Sequence, residues 1–186
     1  MIALHSFLTT ARDRHFQKTV NHSGDIDLAS SSRMMHLGLF LLGTGSHVAG
    51  WRYPGAIDRF TDIDAIRTTC QMAEAGKFDF IFMGDNLHAD IATHPSYVAR
   101  FEPMTMLANI AGATRRIGLG ATMSTTYGDP FTVARMFASL DFISGGRAAW
   151  NAVTTANPAA SANFGKTHPV HGSRYERAEE FIDVVK

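Results

Sequence analysis

Short hydrophobic runs alternate with segments of helical periodicity along most of the chain. Apolar runs predict buried strands at residues 36–42, 78–83 and 117–122, and a fourth strand begins at Arg147. Each run is followed by polar or glycine-rich sequence and then by a helical pattern. Because alternating strands and helices form right-handed βαβ units on a parallel sheet, the pattern predicts an α/β fold with functional residues where the strands end.

Four helices are predicted beside these strands, at residues 62–75, 103–116, 131–143 and 173–186. Thr61 or Asp62 can cap free backbone amides at the start of the first helix, and a cap is the favoured role of Asp129 before the third. Pro103, preceded by Glu102, starts the second helix. Arg115 and Arg116 are expected to oppose the dipole at the C-terminal end of the second helix. The third helix is expected to be strongly amphipathic. No regular element is expected between residues 157 and 172.

Composition excludes several classes of protein. The chain has 186 residues, 45% of them hydrophobic, with 17 Lys and Arg against 17 Asp and Glu, so it suits one packed domain and indicates neither a nucleic acid nor an anionic membrane as partner. The apolar runs are shorter than the roughly 20 residues of a membrane span, and no signal peptide follows Met1. A cytoplasmic protein is expected. The only cysteine, Cys70, lies on the apolar side of the first helix, which indicates inert core packing.

Residues 1–33 differ from the rest of the chain. They have no sustained period and include the run Ser30-Ser31-Ser32. We interpret them as a disordered leader or a non-native extension, and assign residues 34–186 to the folded unit.

Polar side chains follow the predicted strands. Asp85 ends the second strand, Thr122 the third and Asn151 lies near the end of the fourth. A hydroxyl at a strand end can bind the polar edge of a ligand ring, which is the interpretation we favour for Thr122. His171 and Tyr175 are four residues apart, which places both rings on one face at the start of a helix; a helix cap with a packed aromatic is the alternative.

The sequence does not decide the roles of two loops, at residues 85–94 and 43–55. Asp85, His88, Asp90 and His94 lie within ten residues, but they lack the helical spacing of zinc motifs, so no metal site is expected. His88 and His94 fit either a substrate contact or a solvated loop. Residues 43–55, with several aromatic and polar side chains, fit either a pocket wall or a surface loop.

Several motifs, in order across residues 34–186, resemble those of the bacterial luciferase-like flavin monooxygenases. The resemblance is to the branch that contains nitrilotriacetate monooxygenase, pristinamycin synthase and dibenzothiophene-sulfone monooxygenase. The motifs are RFEP at 100–103, IGLGAT at 117–122, STTY at 124–127, DFISGGRAAWNAVT at 141–154 and RYE at 174–176.

This resemblance implies a TIM-like (β/α)8 barrel and an FMNH2-dependent two-component monooxygenase. A separate NAD(P)H:FMN reductase would supply the reduced flavin, which activates O2 to oxygenate a small organic substrate, and the protein would be a homo-oligomer. The resemblance places FMN contacts at Asp85, Thr122, His171 and Tyr175, with Asn151 as a second-rank candidate. Because the flavin carries the oxygen chemistry, no side-chain nucleophile is required.

The length departs from this family pattern. A complete barrel takes about 250 residues, so the chain is expected to cover only about the first four βα units. Two alternatives are left open. In the first, the chain is a non-catalytic half-barrel that is stable only when paired with another half. In the second, it belongs to a deazaflavin-dependent reductase of a neighbouring branch.

Overall fold

Strands and helices alternate in the computed structural model, which describes residues 35–57, 61–92, 98 and 100–186. The elements are β1 (Gly38–Phe40), α1 (Ile63–Ala75), β2 (Phe80–Met83), α2 (Pro103–Ala113), β3 (Gly118–Ser124), α3 (Pro130–Ser144), β4 (Ala148–Val153) and α4 (His171–Val185). Two 3₁₀ helices lie in loops, at Gly50–Arg52 and Pro158–Phe164. The predicted leader and its boundary at residue 33 lie outside the described residues.

The four strands form one parallel sheet in the order β1-β2-β3-β4. One row of the sheet pairs Leu39 with Ile81, Ile81 with Leu119 and Leu119 with Ala148. Each pair of neighbouring strands is joined through a helix, so the chain contains three consecutive βαβ units. The α/β fold predicted from the alternating pattern is confirmed.

The row that contains Ile81 and Leu119 faces the helices and forms the hydrophobic core. Both side chains are fully buried and pack with the apolar stripes of α1 and α2. Cys70 is part of this core, and burial raises the pKa of its thiol to about 12, so the prediction of inert packing is confirmed. Within the described ranges, no helix has the length and apolar character needed to cross a membrane.

The opposite face of the sheet carries aromatic rings packed against glycines. A Cβ atom at Gly38 would clash with the Phe80 ring, and one at Gly118 would lie 3.0 Å from the Cβ of Phe80. The rings of Phe40 and Phe82 stack with their centroids 5.1 Å apart. Glycines in β1 and β3 therefore make room for rings on the face that a closed barrel would enclose.

The helix caps predicted for α1 and α3 are confirmed, and α2 has a cap that was not predicted. The carboxylates of Asp62, Glu102 and Asp129 accept hydrogen bonds from backbone amides in the first turns of α1, α2 and α3. Gly145 ends α3 with φ 71°, a left-handed conformation that favours glycine.

The role predicted for Arg115 and Arg116 is wrong. Helix α2 ends at Ala113, before either residue, so they do not occupy its last turn. Their backbone amides, with that of Ile117, instead donate to Oε1 of Glu74 at 2.9, 2.6 and 3.0 Å. The carboxylate of α1 thereby fixes the turn that leads into β3.

Arg147 braces the same end of the sheet. Its guanidinium donates to the carbonyl oxygens of Ser144 at 2.7 Å, Ile117 at 2.9 Å and Ala111 at 3.0 Å. It also donates to the hydroxyl and the carbonyl of Thr114, at 3.0 and 3.3 Å. One side chain therefore joins the C-terminal ends of α2 and α3 to the start of β3.

The interpretation of α3 as strongly amphipathic is also wrong. Val133 and Leu140 are buried, but Phe142 and Ile143 are 92% and 63% exposed, and Phe131 is exposed as well. The helix packs mainly on α2, α4 and β4, and these neighbours cover only part of its apolar surface.

Several element limits differ from the predicted ones. Strand β1 is shorter than predicted and β3 runs two residues further, to Ser124. Helix α4 begins at His171, two residues early, and a 3₁₀ helix lies in the segment 157–172 where no element was expected.

Candidate functional site

The carboxyl ends of β3 and β4 bring a pair of polar side chains together. Thr122 and Asn151 are register partners, and Nδ2 of Asn151 donates to Oγ1 of Thr122 at 3.0 Å. Thr122 is only 4% exposed. Because its oxygen accepts this bond, the hydroxyl proton remains available to donate, and the Asn151 amide retains an acceptor oxygen and a second N–H. The pair offers both donors and acceptors at one point.

An apolar surface lies beside this polar pair. The row of the sheet two residues earlier runs from Phe40 through Phe82 and Gly120 to Ala149, on the same face as Thr122 and Asn151. Phe40 is partly exposed and Phe82 is half-buried. Apolar rings next to a donor–acceptor pair suit a planar ligand with apolar faces and polar edges.

Asp85 follows β2 at the same edge of the sheet. Its carboxylate accepts from the backbone amide of Asn86 at 2.8 Å and has no hydrogen bond to Thr122 or Asn151. Desolvation raises the pKa of this half-buried carboxyl, and the charge of Glu102 adds to the rise. Together they outweigh the Asn86 hydrogen bond and the charge of Arg100, which lower the pKa.

His171 and Tyr175 lie together on the first turns of α4. Their ring centroids are 4.9 Å apart, and Tyr175 is 43% exposed. No side chain caps the helix, because Val170 occupies the N-cap position. The first turn therefore presents free backbone amides and the positive end of the helix dipole, which favour an anion.

A set of hydrogen bonds that the sequence did not predict joins the ends of β3 and β4 to the first turns of α4. Oγ1 of Thr155 donates to Oγ of Ser124 at 2.7 Å, and Nη1 of Arg174 donates to the carbonyls of Thr155 at 2.7 Å and Thr154 at 3.3 Å. Arg174 is buried, and its Nε has no hydrogen-bond partner among the described residues. The start of α4 is thereby tied directly to the end of β4.

Thr155 has a strained backbone. Its φ of 47° is a left-handed value that a β-branched residue rarely adopts. Strain of this kind costs about 1–3 kcal/mol and is common at binding sites. The sequence shows Thr154 and Thr155 as polar residues at a strand end, but the bond between Thr155 and Arg174 spans 19 residues and has no local signal.

The remaining candidates lie around the same edge. His88 is half-buried and Asp90 is exposed, whereas His94 is outside the described residues. In the part of the chain that is described, no group of three His, Cys, Asp or Glu side chains is placed to hold a metal ion. In the loop of residues 43–55, the Arg52 guanidinium lies 4.7 Å from the centre of the Trp51 ring.

The fold is that of an α/β protein with polar groups gathered at the carboxyl edge of a parallel sheet, which is where proteins of this class commonly bind ligands. Comparison with known proteins gives the family. The model of the luciferase-like monooxygenase family matches residues 35–186, and the chain belongs to this family.

The curated relatives are monooxygenases. The chain is 47% identical to N-acetyl-S-(2-succino)cysteine monooxygenase of Bacillus subtilis (strain 168) over 161 residues, which cover 86% of this chain and 36% of the relative. It is 44% identical to nitrilotriacetate monooxygenase component A of Aminobacter aminovorans over 171 residues, covering 83% of this chain and 37% of the relative. The resemblance found in the sequence motifs is confirmed.

Solved structures of related enzymes have the same fold. EDTA monooxygenase from Chelativorans sp. BNC1 superimposes with a TM-score of 0.77 at 38% identity, covering 82% of this chain and 38% of that one. Riboflavin lyase, solved with modified FMN and riboflavin, gives 0.73 at 31% identity, covering 82% and 37%. The four strands are part of a TIM-like barrel, as predicted, and the chain spans less than two-fifths of the length of these relatives.

Proposed function

We propose that this chain belongs to an FMNH2-dependent monooxygenase that transfers one oxygen atom of O2 to a small organic substrate. The observation that carries the proposal is the hydrogen-bonded Thr122–Asn151 pair at the carboxyl edge of a luciferase-like sheet. A relative named as component A of its monooxygenase supports a second component, and we propose that this component is an NAD(P)H:FMN reductase. The proposal includes a cytoplasmic location, where NAD(P)H is available to the reductase.

The residues present fit FMN. The isoalloxazine ring is planar, with polar edges that suit the Thr122 hydroxyl and the Asn151 amide and with apolar faces that suit the neighbouring Phe40 and Phe82 rings. The phosphate suits the uncapped first turn of α4. Buried beside that turn, the unpartnered Nε of Arg174 adds a donor and positive charge.

Each proposed FMN-binding residue has a separate task. Bound FMNH2 supplies the chemistry that activates O2. Thr122 and Asn151 orient the ring edge, and His171 and Tyr175 hold the phosphate or the ribityl oxygens. Asp85 orders the pocket through nearby amides and hydroxyls, and its raised pKa lets it keep a proton at a higher pH than an ordinary aspartate. The surrounding chain excludes water, and no side-chain nucleophile is needed.

Titration of the purified chain with FMN and FMNH2 tests the proposal. Flavin binding in the micromolar range, the scale of a specific but not tight complex, together with substrate-dependent O2 uptake when a flavin reductase is added, supports the proposal. A folded chain without flavin affinity favours the non-catalytic half-barrel. Hydride transfer to a deazaflavin without O2 uptake favours the reductase of the neighbouring branch.

We also propose that the protein is a homo-oligomer. The groove between α2 and α3 is lined by apolar side chains that include Met104, Met136 and Ile143, and the exposed Phe142 lies next to Ile143. An exposed apolar patch on two adjacent helices is typical of an interface. Sedimentation velocity should show a species larger than the 20.3 kDa monomer, and a monomer at all concentrations contradicts this part of the proposal.

A further inference from the structure

A single buried side chain, Tyr127, contacts the middle of the connection between β4 and α4 (residues 154–170). Its ring is stacked on Phe164, with centroids 4.5 Å apart and an interplanar angle of 6°. Its hydroxyl lies 2.8 Å from Nδ1 of His168. Tyr127 is 8% exposed, whereas Phe164 is exposed and His168 is half-buried. The two contacts hold the connection on either side of the exposed Lys166.

The connection crosses the carboxyl edge of the sheet. Near its start, Oγ1 of Thr126 donates to the carbonyl of Thr154 at 2.8 Å. Further along, Nδ2 of Asn163 donates to the carbonyl of Leu87, in the loop after β2, at 2.8 Å. The connection therefore leaves β4, passes the end of β3 at Tyr127 and reaches the loop that follows β2.

The attachment at Tyr127 also limits where α4 begins. His168 precedes His171, the first residue of α4, by three positions, which span at most about 10 Å of extended chain. No side chain caps the helix start. The hydrogen bond between Tyr127 and His168 is thus a tether immediately before the turn that carries His171 and Tyr175.

We propose that Tyr127 is a positioning residue, which holds the β4–α4 connection across the end of β3 and so fixes His171 and Tyr175 relative to the Thr122–Asn151 pair. Tyr127 acts through Phe164 and His168 and does not itself need to touch a ligand. The part of this inference that concerns flavin rests on the proposed function. The attachment of the connection does not depend on it.

Limited trypsin digestion measures the attachment directly, because Lys166 lies between the two contacts. Tyr127→Phe keeps the stacked ring and loses the hydroxyl, so cleavage after Lys166 should become roughly fivefold faster, the factor for one lost hydrogen bond. Tyr127→Leu also loses the stacked ring and should be cleaved faster still. Cleavage after Lys77, on the exposed turn between α1 and β2 at the other edge of the sheet, is the internal reference and should not change. Tyr53→Phe, at an exposed tyrosine, is the matched control.

FMN binding by the same variants measures the positioning role. The dissociation constant for FMN should rise severalfold in Tyr127→Leu and less in Tyr127→Phe, so that the conservative variant partly rescues binding. Equal cleavage after Lys166 in all variants overturns the attachment, as does a parallel rise after Lys77. Faster cleavage with unchanged FMN affinity overturns the positioning role and leaves the proposed function intact. If the unsubstituted chain does not bind FMN, the proposed function and the flavin part of the inference both fail, and the cleavage rates still decide the attachment.

Discussion

Replacing Arg147 by methionine tests how much one side chain contributes to the amino end of the sheet. The guanidinium makes five hydrogen bonds to oxygens of α2, α3 and the loops beside them, and methionine keeps most of the aliphatic stem while removing all of them. A hydrogen bond from a charged donor contributes about 1.5–3 kcal/mol to the free energy of unfolding. Because Arg147 is only half-buried, water replaces part of this loss.

We expect Arg147→Met to lower the free energy of unfolding by about 3 kcal/mol, within the range for breaking a hydrogen-bond network. Arg147→Lys keeps the charge, but its three donors lack the planar fork, and about half that loss is expected.

Urea denaturation followed by circular dichroism measures both effects. Arg115→Met, at an exposed side chain near the same end of the sheet, is the control and should shift the free energy of unfolding by less than about 0.5 kcal/mol. The slope of the free energy of unfolding against urea concentration should stay constant, because the surface exposed on unfolding does not change. If Arg147→Met unfolds at the same urea concentration as the control, the guanidinium bonds do not contribute as the distances imply.

Three further outcomes follow from the structure. Burial raises the pKa of Glu74, but hydrogen bonds from the amides of Arg116, Ile117 and Arg115 and the Arg116 charge lower it more, so the net pKa is depressed. The ionised Glu74 therefore stabilises the fold above the unfolded-state pKa of about 4.3, and this stabilisation is lost as the pH falls through the folded-state pKa. Glu74→Gln should make stability depend less on pH in the acid range, which thermal melts from pH 7 to 3 would reveal. Thr122→Val should weaken FMN binding by about 1 kcal/mol in a fluorescence titration, whereas Thr68→Val on α1 should not; equal affinity removes Thr122 from the site. Cys70 should resist a thiol reagent at pH 8 until the chain is unfolded, because its pKa is about 12, and rapid labelling of the native chain would contradict its burial.

Local patterns predicted the parts of the fold that depend on near neighbours in sequence. Asp62 caps α1 by accepting a hydrogen bond from the amide of Ala65, three residues away, and Gly145 ends α3, so both signals were visible in the sequence. Arg116 was misinterpreted because its backbone amide pairs with Glu74, 42 residues away, and no periodicity reports such a bond. The exposure of Phe142 could not be predicted either, because it depends on how much of α3 its neighbours cover.

In the candidate site, too, residues with a local signal were predicted and a long-range contact was not. Thr122 and Asn151 were found because each lies near the end of an apolar run, and parallel strands bring such ends to one edge. The link from Thr155 to Arg174 was missed, since it depends on where α4 returns to the sheet.

The two edges of the sheet use polar groups for different purposes. At the amino edge, Glu74 and Arg147 direct their hydrogen bonds to backbone groups of the turns and helix ends, so their polar atoms stabilise the fold. At the carboxyl edge, the Thr122 hydroxyl can still donate, the Nε of Arg174 has no partner within the described ranges, and Thr155 has a strained backbone. Unsatisfied and strained groups cost stability, and a fold retains them where a ligand can satisfy them. This division matches barrels in which the amino face carries stability and the carboxyl face carries the site. Substitutions at the amino edge should therefore change unfolding more than flavin affinity, and substitutions at the carboxyl edge should do the reverse.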